Sequence, residues 1–334
     1  MKRGFILSLV LSWVGHAAAA EPARKLVTLA TEGSPWGDGL AAFARDVSDG
    51  TRGRVKIALL LGGVAGDEVD AARACAAGKV FMWVGSAGAF AQVVPELNAL
   101  ELPFLFDDDA EVDAALGGPA LGILARALER RGLVLLPRFS EVGWRSFAGQ
   151  RALRRTVDFQ GLRARSQESP LHLETWRLLG AAPRAISVLE TYSALQAGVV
   201  EAFDQSPLYM LATAWHQQAR VYTLSRHIYQ PGIAVVCKGV AAAISAQDRR
   251  VLLEAGAARL GGVVGNVRAL EAKVLEQLRG QGLQIVELTD AERAALRERT
   301  RPAFQTFRAG TSPLGRELLD ALERAISARR KGKR

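Results

Sequence analysis

Apolar and polar positions along the first half of the chain alternate between two periods. "KLVTLA" (25–30) has the short apolar run of a strand, and "GDGLAAFARDVSDGT" (37–51) brings Leu40, Phe43 and Val47 onto one helical face. "RVKIALLL" (54–61) predicts a second strand, "GDEVDAARACAAG" (66–78) a helix closed by Gly78, and "VFMWVG" (80–85) a third strand. Strands alternating with helices imply parallel pairing and an α/β layer fold. "ALELPFLF" (99–106) is an apolar loop punctuated by Pro103, Asp107 to Leu116 opens another helix, and "GLVLLPRF" (132–139) supplies the next strand.

A second alternation begins near residue 162. "LRARSQ" (162–167) is its first strand, "SPLHLETWRLLG" (169–180) a helix ended by Gly180, and "APRAIS" (182–187) a strand. "LETYSALQAG" (189–198) is a short helix, "VVEAFDQ" (199–205) a strand, and "SPLYMLATAWHQQA" (206–219) a helix. Pro207 falls in the first turn of that helix, where its missing N–H costs nothing. "RHIYQPGIAVVCK" (226–238) is extended and long enough to cross between domains.

Past Ser245 the period becomes that of a long helix. Ser245 is placed to cap it, with Asp248 at the capping-box position, and Val263, Val267, Leu270, Val274 and Leu278 form one stripe. Ala246 to Leu278 would run about 50 Å at 1.5 Å per residue. That exceeds one small domain, so the rod is expected to brace two. Gly261-Gly262 offers either a bend or a close packing contact. "LGRELLDALERAISARR" (314–330) makes a final helix, and no repeat of solenoid period is present.

The chain begins "MKRGFILSLVLSWVGHAAAA", a basic start, an apolar run and small residues, the layout of a secretory signal peptide cleaved after Ala20. The apolar run is too short to span a bilayer, and no later run reaches that length. The expectation is a mature chain in a periplasm. Loss of Lys2 and Arg3 lowers the formal charge from +9 to +7, and the remaining charges are scattered. The one cluster, "ARRKGKR" at the end, reads as a solvated tail. No nucleic-acid motif accompanies it, so nucleic acid is not an expected partner. Cys75 falls on a helical pattern and Cys237 in an apolar strand. Two buried free thiols are the simpler reading, and pairing depends on a geometry that spacing does not supply.

Catalytic and metal signatures are absent. His172, His216 and His227 are far apart without zinc-site spacing, and read as ordinary surface or partly buried imidazoles. Ser86 in "VGSAG" lacks the glycine two residues earlier that a nucleophile elbow needs. No phosphate or dinucleotide loop is present. Asp107 to Asp109 read as a cap and an acidic helix start. Binding is favoured over catalysis, with no cofactor and no metal expected. An exported hydrolase using Ser86 is the alternative from another class.

Several segments in order resemble the DctP-type solute-binding proteins of tripartite ATP-independent periplasmic (TRAP) transporters. They are "LLLGGVAGDEVDAARACAAGKV", "PELNALELPFLFDDDAEVDAAL", "EVGWRSF", "DFQGLRARSQES" and "LGAAPRAISVLETYSALQAGVVEAFDQSP". The resemblance implies two α/β lobes of periplasmic-binding-protein type, with crossing strands, a ligand cleft between them and a long bracing helix. The expected division is 21–144 with 230–245 as the first lobe and 146–229 with 283–328 as the second. The helix 246–280 braces them, and 329–334 form a basic tail. The implied cargo is a small organic acid, the implied partner the integral membrane permease subunits of a TRAP transporter, and the chain itself a monomer.

The same resemblance puts the main carboxylate-binding arginine on Arg165, a second pocket arginine on Arg145, and a polar orienting residue on Gln205. Phe203, Tyr209 and Trp215 lie at or just after one strand end and could wall the pocket or pack the core. Arg163, two before Arg165, is expected to face solvent. Ser166-Gln167-Glu168 depart from the hydrophobic-Pro that usually follows the arginine. Glu168 either faces the cleft, where it would repel a second carboxylate, or faces solvent and begins the next helix favourably. An apolar or lipid-like cargo in the same cleft is the alternative motivated by Phe203, Tyr209, Met210 and Trp215.

Overall fold

The computed structural model describes residues 22–240 and 243–332. The expected signal peptide 1–20 and its cleavage after Ala20 lie outside the described residues. The first lobe holds β1 (Arg24–Thr28), α1 (Pro35–Gly50), β2 (Ile57–Leu60), α2 (Glu68–Ala76) and β3 (Met82–Ser86). It continues through α3 (Ala87–Phe90), α4 (Asp109–Leu116), α5 (Pro119–Glu129) and β4 (Val134–Leu135). Strand β5 (Ser140–Gly149) leads into the second lobe, with β6 (Arg163–Ser166), α6 (Pro170–Leu179), β7 (Ala182–Ala185), α7 (Val188–Gln196), β8 (Ala202–Gln205) and α8 (Pro207–Ala212). Strand β9 (Val221–Val236) returns, and α9 (Ala246–Gly280), β10 (Gln284–Glu287), α10 (Asp290–Thr300), α11 (Pro302–Gly310) and α12 (Pro313–Lys331) complete the chain.

One sheet passes through both lobes in the order β2-β1-β3-β9-β5-β8-β6-β7, with β4 and β10 also paired to β9. The outer strands of each lobe pair in parallel, β1 with β2 and β3, and β6 with β7 and β8. The two long strands β5 and β9 run antiparallel to each other and carry the chain between lobes. β9 pairs with β3 through Gly232–Val236 and with β10 through Val221–Leu224, so its two ends belong to different lobes.

The bracing helix α9 follows the stripe seen in the sequence. Ser245 caps it by accepting from the Asp248 N–H at 3.0 Å. Leu252, Ala255 and Leu260 join the first lobe's core, while Val274, Leu275 and Leu278 join the second's. Its 35 residues stay helical through Gly261-Gly262.

Several expectations need correction. The helix expected over 206–219 divides, because Ala214 adopts φ 58° and a separate 3-10 turn, Trp215–Gln218, follows. That break turns Trp215 into the second lobe's core. "GLVLLPRF" yields only the two-residue β4. The segment 283–328 was expected in the second lobe, and β10 and α10 do pack there, on β9 and α6. Helix α12 instead lies on α4, α5 and the 3-10 turn Pro95–Glu101, burying Leu314, Leu318, Leu319 and Leu322 in the first lobe's core. The described part of the expected basic tail, 329–332, is the end of α12 and its cap, and Arg330 pairs with Glu111 at 2.8 Å and Asp107 at 2.8 Å. The acidic run at 107–109 is therefore occupied by basic side chains, while Asp108 caps α4 by accepting from Glu111 N–H at 2.9 Å.

The reading of Cys75 and Cys237 as free thiols is overturned. They are disulfide-bonded, with Cα atoms 4.7 Å apart, tying α2 to the end of β9 across 162 residues. Both lie in the first lobe's core, where the backbone of Lys238 already hydrogen-bonds to Cys75. The spacing could not reveal this contact, because only sheet packing brings residue 75 beside residue 237. A disulfide also fits the oxidising compartment that the leader suggests.

The loop closed by that bond is long, so its loss should cost on the order of 2–5 kcal/mol. Reduced protein, or the Cys75→Ala/Cys237→Ala double variant, should melt at a clearly lower temperature than the oxidised chain. Thiol titration of unreduced, unfolded protein should return no free sulfhydryl; two would remove the assignment.

Candidate functional site

A cavity of about 110 Å³ lies between the lobes. From the first lobe it is lined by the turn from β1 into α1, including Thr31, Ser34 and Trp36, and by Glu68, Gly85 and Ser86. Arg165, Gln167, Gln205 and Tyr209 come from the second lobe, Glu141, Val142 and Gln230 from the crossing strands, and Val267 from α9. The lobes also touch beside it, where Asp67 Oδ2 accepts from the Leu189 N–H at 3.2 Å. Asp67 Oδ1 accepts from Glu68 N–H at 2.5 Å, so one carboxylate serves the start of a helix in each lobe.

Arg163 and Arg165 point to the same face of β6 but meet different surroundings. Arg163 begins the strand, is exposed and pairs with Glu201 at 3.4 Å. Arg165 lies deeper and is 1% exposed. Its Nε donates to the Ile186 carbonyl at 2.9 Å, and its guanidinium carbon is 5.0 Å from the Trp215 ring centroid. Its Nη1 is buried with no hydrogen-bond partner, and no carboxylate lies within ion-pair distance among the described residues. Burial, followed by the neighbouring Arg145 charge, lowers its pKa to about 10.

Arg145 lies on β5 and is 0% exposed, but it does not line the cavity. The expectation of a second positive contact to cargo is corrected accordingly. Its Nε donates to Asp204 Oδ2 at 2.6 Å and its Nη2 to the Asp204 carbonyl at 2.6 Å. Its Nη1 reaches Gln230 Oε1 at 3.0 Å, Gln205 Oε1 at 3.2 Å and Gln167 Oε1 at 3.4 Å. Burial opposes the charge on Asp204, yet Arg145 and His227 hold its pKa well below the usual carboxylate range. Asp204 also accepts from Trp176 Nε1 at 3.2 Å. Arg145 thus sets the orientation of three glutamines whose other faces meet the cavity.

Two carboxyls that sequence reasoning missed line the same space. Glu68, in the first turn of α2, accepts from Ser86 N–H at 2.7 Å and Ser86 Oγ at 3.0 Å. It lies so close to Gly85 that a Cβ there would stand 2.4 Å from its Oε1, which explains the glycine. Glu141 precedes a β-bulge: Glu141 opposes Pro231 and Gly143 opposes Gln230, leaving Val142 unpaired. Gly143 has φ 114°, which suits glycine. The bulge shifts the phase of β5, so Glu141 and Val142 reach the cavity while Arg145 passes behind its wall. Burial pushes the pKa of Glu68 and of Glu141 up to about 7.

The other expected residues are divided. Gln205 lines the cavity, with Oε1 held by Arg145 and by its neighbour's N–H, Ser206, at 2.9 Å. Tyr209 also lines it. Phe203 and Trp215 do not; they pack edge to face, 5.5 Å between centroids, in the second lobe's core with Met210. Strand β8 is buried on both faces, so its aromatic serves the core and not the cleft. Glu168 is half-buried outside the cavity lining, just before the Ser169 cap of α6. Gln167, noted only as a departure, is a cavity residue, accepting from Gln230 Nε2 at 2.8 Å and donating to Ser86 Oγ at 3.3 Å.

Ser86 caps the short α3 and hydrogen-bonds Glu68 and Gln167, with no imidazole among these partners. His172 and His227 are fully buried, against the expectation of surface or partly buried rings, and face Glu101 at 2.6 Å and Asp204 at 3.5 Å. Among the described residues no cluster suited to a metal ion is found and no helix is long and apolar enough to cross a membrane.

Residues 26–310 match the family described as bacterial extracellular solute-binding protein, family 7. A solute-binding protein of Verminephrobacter eiseniae is 28% identical over 83% of this chain and 82% of its own length. The C4-dicarboxylate-binding periplasmic protein DctP of Rhodobacter capsulatus is 27% identical over 96% of this chain and 95% of its own. A crystal structure of a TRAP periplasmic solute-binding protein from Ralstonia eutropha, with bound (S)-2-acetolactate, is 28% identical, with a TM-score of 0.85 covering 92% of this chain and 99% of that one.

The two buried arginines should respond oppositely to removal. Arg145→Met strands Asp204 without its partner and should cost roughly 3–5 kcal/mol of stability. Arg165→Met removes a desolvated cation with no counter-charge, so the unliganded protein should melt at the same or a higher temperature. Equal destabilisation by both in a denaturant titration would contradict these roles.

Glu68 also predicts a pH dependence. Its ordinary pKa is 4.5 and its folded value about 7, so the stability it contributes is present below pH 4.5 and lost as pH rises to about 7. The melting temperature of Glu68→Gln relative to wild type should therefore climb between pH 5 and pH 7 and level off above. A difference independent of pH would show that this carboxyl titrates normally.

Proposed function

The chain belongs to the bacterial extracellular solute-binding protein family 7, and from that membership we propose that Arg165 is the group that grips its cargo. The protein is a TRAP-type solute-binding protein for small organic acids. The observation that carries the Arg165 reading is its buried guanidinium, which keeps an unpartnered Nη1 in a residue lining the interlobe cavity. Such a cation costs free energy until an anion reaches it, and a planar fork can receive both oxygens of a carboxylate. The Ralstonia relative was crystallised with the acid acetolactate and the Rhodobacter relative is named for C4-dicarboxylates, which supports an acidic cargo here.

Capture is modest in energy. A Kd near 1 μM corresponds to about 8 kcal/mol, so one charge-assisted fork with a few hydrogen bonds from Gln205 and Tyr209 is enough, and the cargo remains releasable. Ligand touching both lobes favours the closed arrangement by as much as it binds that arrangement more tightly. The cargo then passes to the membrane permease subunits of the transporter. We further propose that residues 1–20 are removed on export, that the mature chain works in the periplasm as a monomer, and that it catalyses no reaction. An apolar cargo finds less support, because Phe203, Met210 and Trp215 are occupied in the core.

Arg165→Ala should weaken binding of the cognate acid at least about thirty-fold, in line with the 2–5 kcal/mol expected when a buried charged partner is removed. Calorimetry against a panel of organic acids measures this, with the melting curve confirming the fold. Unchanged affinity in the variant would remove Arg165 from the site.

A further inference from the structure

Lysine is scarce in this chain and, among the described residues, takes part in no ion pair. Every ion pair there is made by an arginine or a histidine. The described lysines are Lys25, Lys56, Lys79, Lys238, Lys273 and Lys331, and the first four meet at one end of the first lobe. Arg52 and Arg130 join them there, and all of these side chains are exposed.

Neighbouring segments place the charges side by side. The Lys56 carbonyl accepts from Arg24 N–H at 2.7 Å, beside Lys25. The Lys25 carbonyl accepts from Phe81 N–H at 3.0 Å, two residues past Lys79, and the Phe81 carbonyl from Cys237 N–H at 2.9 Å, next to Lys238. A Cβ on Gly78 would stand 2.7 Å from the Lys238 carbonyl, and one on Gly132, close to Arg130, would stand 3.4 Å from the Lys238 side chain. Lys56 Cε lies 3.7 Å from the Cβ position of Gly53, the neighbour of Arg52. Arg52 itself holds φ 52°, where glycine would be under less strain. The exposed carboxylates beside this cluster are Asp49 and Glu129, while Asp248 is taken by Arg54 at 2.7 Å. None of the large exposed apolar side chains, Val64, Val157, Leu189 and Val199, belongs to these segments. Strands β1 and β3 run in parallel from this end to Thr28 and Ser86, which line the cavity. The cationic end therefore lies opposite the cleft, roughly 15 Å away along a short strand.

We propose that this end of the first lobe is a docking surface for an anionic phospholipid bilayer, holding the protein on the membrane with its cleft turned away from the lipid. The role goes beyond solute binding and does not depend on which acid the cleft takes. A lysine ammonium is a compact, strongly hydrated point charge, suited to a fluid layer of headgroups, whereas paired recognition of a fixed carboxylate favours arginine. Protein interfaces are poor in lysine and rich in aromatic side chains, and this surface is the reverse. Without an apolar wedge the attachment is electrostatic, so the protein rests on the headgroups and salt releases it. A carrier held this way searches a surface and not a volume for its membrane subunits.

Co-sedimentation of the full mature chain with vesicles tests this. The probes are vesicles of phosphatidylcholine alone and of phosphatidylcholine with about one third phosphatidylglycerol. At about 50 mM salt the anionic vesicles should bind at least about ten-fold more tightly than the neutral ones, and about 500 mM salt should remove the difference. Lys25→Gln/Lys56→Gln/Lys79→Gln/Lys238→Gln should lose about ten-fold or more on anionic vesicles. Arg177→Gln/Arg184→Gln/Arg220→Gln/Arg299→Gln removes as many exposed charges from the second lobe and should stay within about three-fold of wild type. Wild-type protein gives a readout that needs no variant. Anionic vesicles should suppress amine acetylation at Lys25, Lys56, Lys79 and Lys238, read by mass spectrometry, and leave Lys273 on α9 unchanged. Equal binding to both vesicle types, equal loss in the two quadruple variants, or equal protection of Lys273 overturns the proposal. Binding to neither vesicle overturns it in favour of an acidic protein face as the partner.

Discussion

Two guanidinium groups are buried close together in this protein, and among the described residues only that of Arg145 has a counter-ion. Arg145 is neutralised by Asp204, which also accepts from Trp176 and faces His227. That cluster joins β5 to β8 in the middle of the sheet and tolerates full burial because every strong charge in it is matched. Arg165 shares the same interior without a carboxylate, and the nearby positive charge makes its position costlier still. The structure accepts this cost at one place, facing the cavity. The rest of the site follows from keeping that cation oriented and dry.

The orientation is supplied locally and from afar. Trp215 lies against the guanidinium and the Ile186 carbonyl holds Nε, while Nη1 has no hydrogen-bond partner. The glutamines around it are not free rotors. Arg145 gathers the oxygens of Gln167, Gln205 and Gln230, so their positions are dictated by a charge behind the wall. A polar pocket whose amides are pre-set loses less entropy on binding than one whose side chains must be immobilised by the cargo. The crossing strands and α9 run through both lobes and contribute Gln230 and Val267 to the cavity lining, so a ligand held by Arg165 would meet the second lobe and the connection between lobes at once.

Much of this was readable from the chain. The alternation of strand and helix periods located most elements, and the stripe on α9 marked the brace, because burial of one helical face imposes its period directly. Arg165 was singled out by the resemblance of "DFQGLRARSQES" to the DctP-type pattern, not by strand phase, which Arg163 shares. Its neighbour Arg163 shows how little separates the two readings, since position along a short strand and not side-chain direction decides exposure. Glu141 was not legible: a bulge of one residue at Val142 re-aims β5, and simple alternation cannot report it. The same shift explains why Arg145 became a structural cation and not a contact. Phe203 and Trp215 were ambiguous because an aromatic at a strand end serves core and cavity equally well in sequence.

The sequence by itself determined what is set by neighbours along the chain: the α/β periods, the helix caps at Ser245 and Asp108, the glycine-terminated helices and the apolar faces that form each core. Tertiary structure alone decided what depends on residues far apart in number. The Cys75–Cys237 bond spans 162 residues, α12 crosses back to the first lobe, and Asp204 rather than the cargo takes Arg145. The physical reason is common to all three. Burial and periodicity are one-dimensional signals, whereas the choice of partner for a thiol, a helix face or a charge is made by packing in three dimensions.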